Sequence, residues 1–189
     1  MIRIGILGDI GSGKSYVAKN FGYPVFNADY EVSKLYKKDR KTFNKLNKVL
    51  PRYIYSFPIK KNEISNAILA NKFSLKMIIR IVHLEIRKKM NIFLSKNKKK
   101  KIVILDIPLL LENKIDKKDD VLVFVKSKKL DILKRLKKRK NYNPKLLNKF
   151  KNIQLSLDYK KKKSQFVIKN NFTNKTVNKS IEKILKDIL

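Results

Sequence analysis

Gly8-Asp9-Ile10-Gly11-Ser12-Gly13-Lys14-Ser15 is the stretch whose reading decides the fold. It fits G-x-x-x-x-G-K-[ST], in which the glycines let the backbone curl until successive N–H groups face one anion. In that pattern the lysine reaches the outer phosphates of a nucleotide, and the hydroxyl after it suits a magnesium ion. The pattern also arises by chance, so its flanks must agree with it. Ile2, Ile4, Ile6 and Leu7 read as a short buried strand, and Tyr16, Val17, Ala18 and Phe21 open a helix. Strand, glycine-rich turn and helix is the arrangement that presents a helix N-terminus to a phosphate.

Working outward, short apolar runs recur. Pro24–Asp29 reads as a second strand, Ile102–Asp106 as a third, Val121–Val125 as a fourth and Phe166–Ile168 as a fifth. Runs that are apolar without in–out alternation suit a parallel sheet covered on both faces. The expected fold is therefore α/β, a five-stranded parallel sheet of the P-loop NTPase type with helices on both faces. Leu75, Ile78, Ile79, Val82, Ile86, Met90 and Phe93 recur at helical steps and predict a long amphipathic helix, with a shorter one over Ile59–Leu69 before it. Leu130, Leu133 and Leu136 mark another helix with Ser127 as its N-cap, Asn143-Pro144 starts the next, and Val177, Ile181, Ile184, Leu185 and Ile188 form a closing one. One domain is expected, with core segments 1–34, 100–138 and 164–189, a helical insertion over about 35–99 that binds substrate, and a lid over about 139–163.

The chain has 189 residues, 43% of them hydrophobic, which is enough for a core and too many for a disordered polymer. No apolar run approaches the roughly 18–20 residues needed to cross a bilayer. The first residues run straight into the glycine-rich loop and read as structure, not as a secretory leader. With no cysteine, disulfides and thiolate metal sites are excluded. A soluble cytoplasmic protein is expected, with no membrane partner and an oligomeric state that the sequence leaves open. The net charge is +33, from 48 Lys and Arg against 15 Asp and Glu. Lysine, asparagine and isoleucine rise together when a genome drifts toward A and T, so the charge is not by itself a nucleic-acid signature. Lys98–Lys101 and Lys160–Lys163 read as solvated faces that can also attract phosphate. No specific nucleic-acid partner is expected, because the aromatic residues lie on apolar faces and do not interleave with lysines.

Ligands of such sheets bind at the C-terminal ends of the strands. Asp29 and Asp106 stand at two such ends, one suited to accept the proton of an attacking hydroxyl and the other to hold magnesium. Arg135 and Arg139, on the helix after the fourth strand, are candidates for positive charge over a transferring phosphoryl group. His83 is the single histidine and is assigned no proton transfer. Asp9 adds a carboxylate inside the loop and is expected to point to solvent.

Taken together the segments resemble the dephospho-coenzyme A kinases, collinearly over nearly the whole chain. The resemblance begins at Ile6–Ser15, where the family usually has glycine in place of Asp9. It continues at Pro24–Asp29, with Asn27 in place of the first aspartate of a D-A-D segment, and at Ile81–Arg87, with Leu84 in place of a proline. Leu105–Glu112 is similar to the family's D-I-P-L-L-F-E and is the most specific piece; Gln154-Leu155-Ser156 and Phe166–Asn170 complete the order. Gln165 and Lys169 stand where acidic residues are usual, and Leu157 and Lys160 where arginines are common. The resemblance implies transfer of the ATP γ-phosphate to the ribose 3′-hydroxyl of dephospho-coenzyme A, with Mg2+ as cofactor. It implies Asp29 as the base, Lys14 at the transferred phosphoryl and Arg139 as the lid arginine. Gly8, Gly11, Ser12, Gly13, Lys14, Ser15 and Tyr16 would form the nucleotide cradle, together with Asn170. Ser15 and Asp106 would face the metal, while Pro108, Leu109 and Glu112 with His83 and Arg87 would face the acceptor. The alternatives that the residues leave open are a P-loop kinase of another small metabolite, such as a nucleoside monophosphate, and a basic RNA-binding protein that keeps the fold.

Overall fold

A computed structural model describes residues 1–140 and 142–189; Asn141, in the turn expected to begin the lid, lies outside them. The strands are β1 (Ile2–Gly8), β2 (Val25–Asn27), β3 (Ile102–Asp106), β4 (Val121–Lys126) and β5 (Phe166–Lys169). They form one sheet in the order β2-β3-β1-β4-β5, and every pair is parallel. The expected fold class holds. The helices, in chain order, are α1 (Lys14–Asn20), α2 (Ala28–Lys38), α3 (Arg40–Val49), α4 (Lys61–Ala70), α5 (Lys72–Lys96), α6 (Lys129–Lys137), α7 (Pro144–Lys151), α8 (Leu157–Lys163) and α9 (Asn174–Ile188).

The chain divides into two compact units, one of Met1–Asn27, Lys96–Tyr142 and Ile153–Leu189, the other of Ala28–Ser95 with Asn143–Asn152. Residues 28–34, read from sequence as core, fall in the second unit. Of the expected lid, 143–152 also falls there, because α7 packs on α4.

In the first unit, one face of the sheet is a continuous apolar layer. Ile4 and Ile6, Ile102 and Ile104, Val123 and Val125, and Ile168 meet Val17, Ala18 and Phe21 of the α1 segment and Val177, Ile181 and Ile184 of α9. Each such fully buried aliphatic side chain contributes about 1.5–3 kcal/mol, so α9 is held by its packed stripe and not by helix propensity. The opposite face is closed in part by α8 and by Leu110. Here β1 needs a residue without a side chain, since a Cβ on Gly5 would lie 2.5 Å from a Leu110 methyl carbon.

The α6 stripe differs from the one expected. Leu130 and Leu133 are exposed, while Ile132 and Leu136, one turn apart, are buried against Gly11 of the loop. Lys128, not Ser127, occupies the N-cap, and the Ser127 hydroxyl is used elsewhere. In the second unit, Leu75, Ile78, Val82, Ile86 and Met90 form the buried stripe of α5, while Ile79 and Phe93 of the expected stripe are half-buried at its margin.

That second unit also holds a buried carboxylate that no motif announced. Glu63, 1% exposed, accepts from the N–H groups of Tyr55 (2.9 Å) and Ser56 (3.2 Å) and from the Ser56 hydroxyl. Burial pushes its carboxyl up, but the Ser56 hydroxyl and the backbone amides of Tyr55, Ser56 and Lys60 outweigh burial and hold it below its ordinary value. A depressed carboxylate stabilises the fold above the unfolded-state pKa, and that stability is lost as pH falls through the folded value. Glu63→Gln is therefore expected to cost about 1.5–3 kcal/mol at neutral pH. Urea unfolding of both proteins should show the difference shrinking as the pH is lowered through and below the ordinary carboxylate range.

Candidate active site

The glycine-rich loop leaves the end of β1, the central strand, and enters α1 with left-handed backbone at Gly11 and Gly13. Gly13 is the N-cap of α1 at φ 88° and ψ 24°, and a Cβ there would lie 2.3 Å from the Asn170 side-chain nitrogen. Only glycine meets both demands. Asp9, expected to point to solvent, turns one carboxylate oxygen back onto the loop backbone. It is half-buried, and its carboxylate accepts from the Ile10 N–H at 2.7 Å, while the Asp9 carbonyl accepts from the Ser12 N–H at 3.2 Å. The extra carboxylate thus braces the turn from within its own backbone.

Lys14 lies largely buried in the first turn of α1, and its ammonium donates to the Gly8 carbonyl at 3.2 Å and the Asp9 carbonyl at 2.7 Å. Beside it, Ser15 is exposed. The register pairs Asn27 at the end of β2 with Asp106 at the end of β3, and the Asn27 amide donates to the Asp106 carboxylate and, at 3.5 Å, to the Ser15 hydroxyl. Asp106 is 3% exposed. Burial pushes its carboxyl above its ordinary value, against the Ser15 hydroxyl, the Lys14 charge and the Asn27 amide, which pull it down. Lys14, Ser15, Asn27 and Asp106 thus form one cluster, where the C-terminal ends of β2 and β3 meet the start of α1. Its hard oxygen donors, the Ser15 hydroxyl and the Asp106 carboxylate, fit magnesium, which is bound through one or two protein oxygens with phosphates and water completing the shell. No group of three or more His, Cys, Asp or Glu among the described residues is placed to hold a metal alone.

Asp29 is exposed in the first turn of α2, two residues beyond Asn27 and within the second unit. His83 and Arg87 sit one turn apart on α5, also in the second unit, the first half-buried and the second exposed. Arg139 is exposed just beyond α6, where its N–H donates to the Leu136 carbonyl. The Arg135 guanidinium stacks 4.1 Å from the centre of the Phe172 ring, a pairing across 37 residues that no local pattern signals.

Three expected site residues turn inward. The Tyr16 hydroxyl donates to the Asn174 side chain and its ring packs on the core. Asn170 is 3% exposed; its amide nitrogen donates to the Ser12 carbonyl at 2.8 Å and its oxygen accepts from the Phe172 N–H at 2.8 Å. It stands behind the loop.

Glu112, expected to face the acceptor, accepts from the Lys160 ammonium at 2.7 Å and the Leu155 N–H at 3.0 Å. Lys160, expected on a solvated basic face, is 1% exposed. A charge held inside a protein is costly unless it is paired or fully hydrogen-bonded, and Lys160 is the cation that pairs with Glu112, placed by α8 against the sheet. Pro108 and Leu109 remain half-buried on the turn that precedes Glu112, and the Leu109 carbonyl accepts from the Asn113 backbone and side-chain nitrogens. Gln165 has a structural use as well: its side-chain oxygen accepts from the Leu122 N–H at 2.7 Å, extending the pairing of β4 with β5.

No helix among the described residues is long and apolar enough to cross a membrane. The fold is shared with a Thermus thermophilus protein of known crystal structure at TM-score 0.80 and 23% identity, covering 100% of this chain and 98% of that one. It is also shared with the dephospho-CoA kinase of Campylobacter jejuni at TM-score 0.62 and 21% identity, covering 98% and 96%. In sequence, the dephospho-CoA kinase of Wolbachia pipientis wMel is 33% identical over 190 residues, 98% of this chain and 97% of that protein. A family model described as dephospho-CoA kinase matches residues 2–176, and on that match the chain belongs to the dephospho-CoA kinase family.

Proposed function

We propose that the protein transfers the γ-phosphate of ATP to the ribose 3′-hydroxyl of dephospho-CoA, giving CoA and ADP, and that it does so in the cytoplasm as the last step of CoA synthesis. The observation that carries this reading is the intact cluster of Lys14, Ser15 and Asp106 at the phosphate loop of a chain that matches the family over 2–176. In this reaction the 3′-oxygen forms a bond to the γ-phosphorus as the bond to the β,γ-bridging oxygen breaks. The hydroxyl proton passes to the Asp29 carboxylate, and ADP leaves with the electron pair. Loop N–H groups and the α1 N-terminus hold the phosphates. Lys14 exchanges its two loop carbonyls for phosphate oxygens and takes up the charge that develops on the transferring group. Magnesium, when bound, neutralises charge across the β- and γ-phosphates; Ser15 and Asp106 would hold it. Arg139 is assigned to the lid, and His83 and Arg87 to the acceptor.

The test is ADP release measured with dephospho-CoA against a panel of nucleoside monophosphates and other hydroxyl acceptors. Turnover is expected to depend on dephospho-CoA. Turnover with other acceptors and none with dephospho-CoA would overturn the reading.

A further inference from the structure

Two side chains of the first unit, from the ends of neighbouring strands, converge on one carbonyl of the phosphate loop. The Ser127 hydroxyl, between β4 and α6, donates to the Ser12 carbonyl at 2.9 Å, and the Asn170 amide, after β5, donates to the same oxygen at 2.8 Å. Ser12 is fully buried and Asn170 nearly so, so both lone pairs of this oxygen are spent inside the protein. Asn170 is itself fixed on three sides. Its N–H donates to the Lys126 carbonyl at 2.8 Å, its side-chain oxygen is held by the Phe172 N–H, and its nitrogen fills the space that a Cβ on Gly13 would take. Ser127 follows directly on β4, and Asn170 directly on β5.

We propose that Ser127 and Asn170 are positioning residues that set the direction of the Gly13 N–H, and through it the affinity of the loop for nucleotide phosphate. The reason is peptide geometry. In a planar trans peptide the carbonyl and the following N–H point in opposite directions. Pinning the Ser12 oxygen into the buried back of the loop therefore aims the Gly13 N–H at its open side. Gly13 has left-handed backbone and no side chain, so nothing on the residue itself restrains that peptide plane. Without the two donors the plane is free to rotate, and its ordering is deferred to nucleotide binding, which lowers affinity. The role assigned to Asn170 differs from direct contact with the nucleotide.

This inference rests on the kinase reading above, and the experiment separates the two. Equilibrium binding of ATP, ADP and dephospho-CoA is measured for wild type, Ser127→Ala, Ser127→Thr and Asn170→Asp, together with thermal midpoints and exchange rates of the Gly13, Lys14 and Ser15 amides. Asn170→Asp keeps the shape but replaces the donor with an acceptor. Ser127→Ala and Asn170→Asp are each expected to weaken ATP and ADP roughly 3–10-fold, in line with about one net hydrogen bond. Dephospho-CoA affinity should stay unchanged, and exchange of the Gly13 amide should rise in the nucleotide-free protein. Ser127→Thr keeps the hydroxyl and should bind ATP within about twofold of wild type. The assignment is overturned if Ser127→Ala and Asn170→Asp bind ATP as wild type does, or if they lose dephospho-CoA affinity in parallel with ATP. Should Asn170→Asp fail to fold, Ser127→Ala with its amide exchange decides alone, since Ser127 is only half-buried. Failure of wild type itself to bind ATP would instead defeat the kinase reading.

Discussion

Asp29→Asn is expected to lower kcat by roughly 10²–10⁴-fold, the usual worth of a positioned general base, with the fold and ATP affinity retained. The amide matches the carboxylate in shape but cannot take a proton from the attacking hydroxyl. The cost to the fold is small because Asp29 is exposed, and its charge in the first turn of α2 contributes about 0.3–1 kcal/mol through the helix dipole. That is a minor part of the roughly 5–15 kcal/mol that holds a domain folded. Thermal midpoint and ATP binding should therefore stay near wild type while turnover collapses. A loss confined to kcat marks an interaction made in the transition state, whereas a rise in KM alone would mark ground-state binding. Glu31 is the matched control. It lies in the same turn, but its carboxylate is paired with Lys34 at 3.1 Å and with Lys89 at 3.7 Å, so Glu31→Gln should leave kcat unchanged. Near-normal turnover of Asp29→Asn removes the residue from the base role.

The sheet was legible because its information is local. A strand buried on both faces is an uninterrupted apolar run, and Ile102–Asp106 came out of the sequence at its true length. The phosphate loop was legible because its glycines, lysine and serine each meet a separate demand within eight residues. What stayed hidden is pairing at a distance. Lys160 sits in a run of four lysines, and nothing in that run distinguishes the one that α8 turns inward to Glu112, 48 residues earlier in the chain. Ser127 fits the rule for a helix cap, and the rule fails because a buried carbonyl 115 residues away takes its hydroxyl instead. Leu130 and Leu133 look like a core stripe until the packed face of α6 is fixed by Gly11, which admits Ile132 and Leu136. Asn27 shows the same limit from the other side. As a sequence it is a missing aspartate, but in the structure its amide is a donor that holds Asp106 in place, something a second carboxylate could not do unless protonated. The charge removed from the cluster is offset by a hydrogen bond that orients the carboxylate left behind.

Lys14→Met carries the second large effect, a fall in kcat of about 10²–10³-fold, the usual cost of removing one donor from a developing oxyanion. Methionine keeps the unbranched stem that α1 buries and removes only the ammonium. In the structure that ammonium bonds the Gly8 and Asp9 carbonyls, so two accounts of the residue compete. If Lys14 served only to brace the loop, its removal would raise KM for ATP and leave kcat near wild type once the nucleotide saturates. If it moves to the transferring phosphoryl, the loss stays in kcat at saturating ATP. The Asp9 carboxylate and the Ile10 N–H already brace the turn without help from the lysine, and Ser127 and Asn170 hold the far side of the loop at Ser12. The loop thus keeps its shape when Lys14 lets go, which leaves the ammonium available for chemistry. Steady-state kinetics at saturating dephospho-CoA, with ADP binding as the check on loop integrity, decides the matter. ADP affinity within about tenfold of wild type, with kcat reduced a hundredfold or more, is the expected result. An unchanged kcat with KM raised would return Lys14 to the role of a brace.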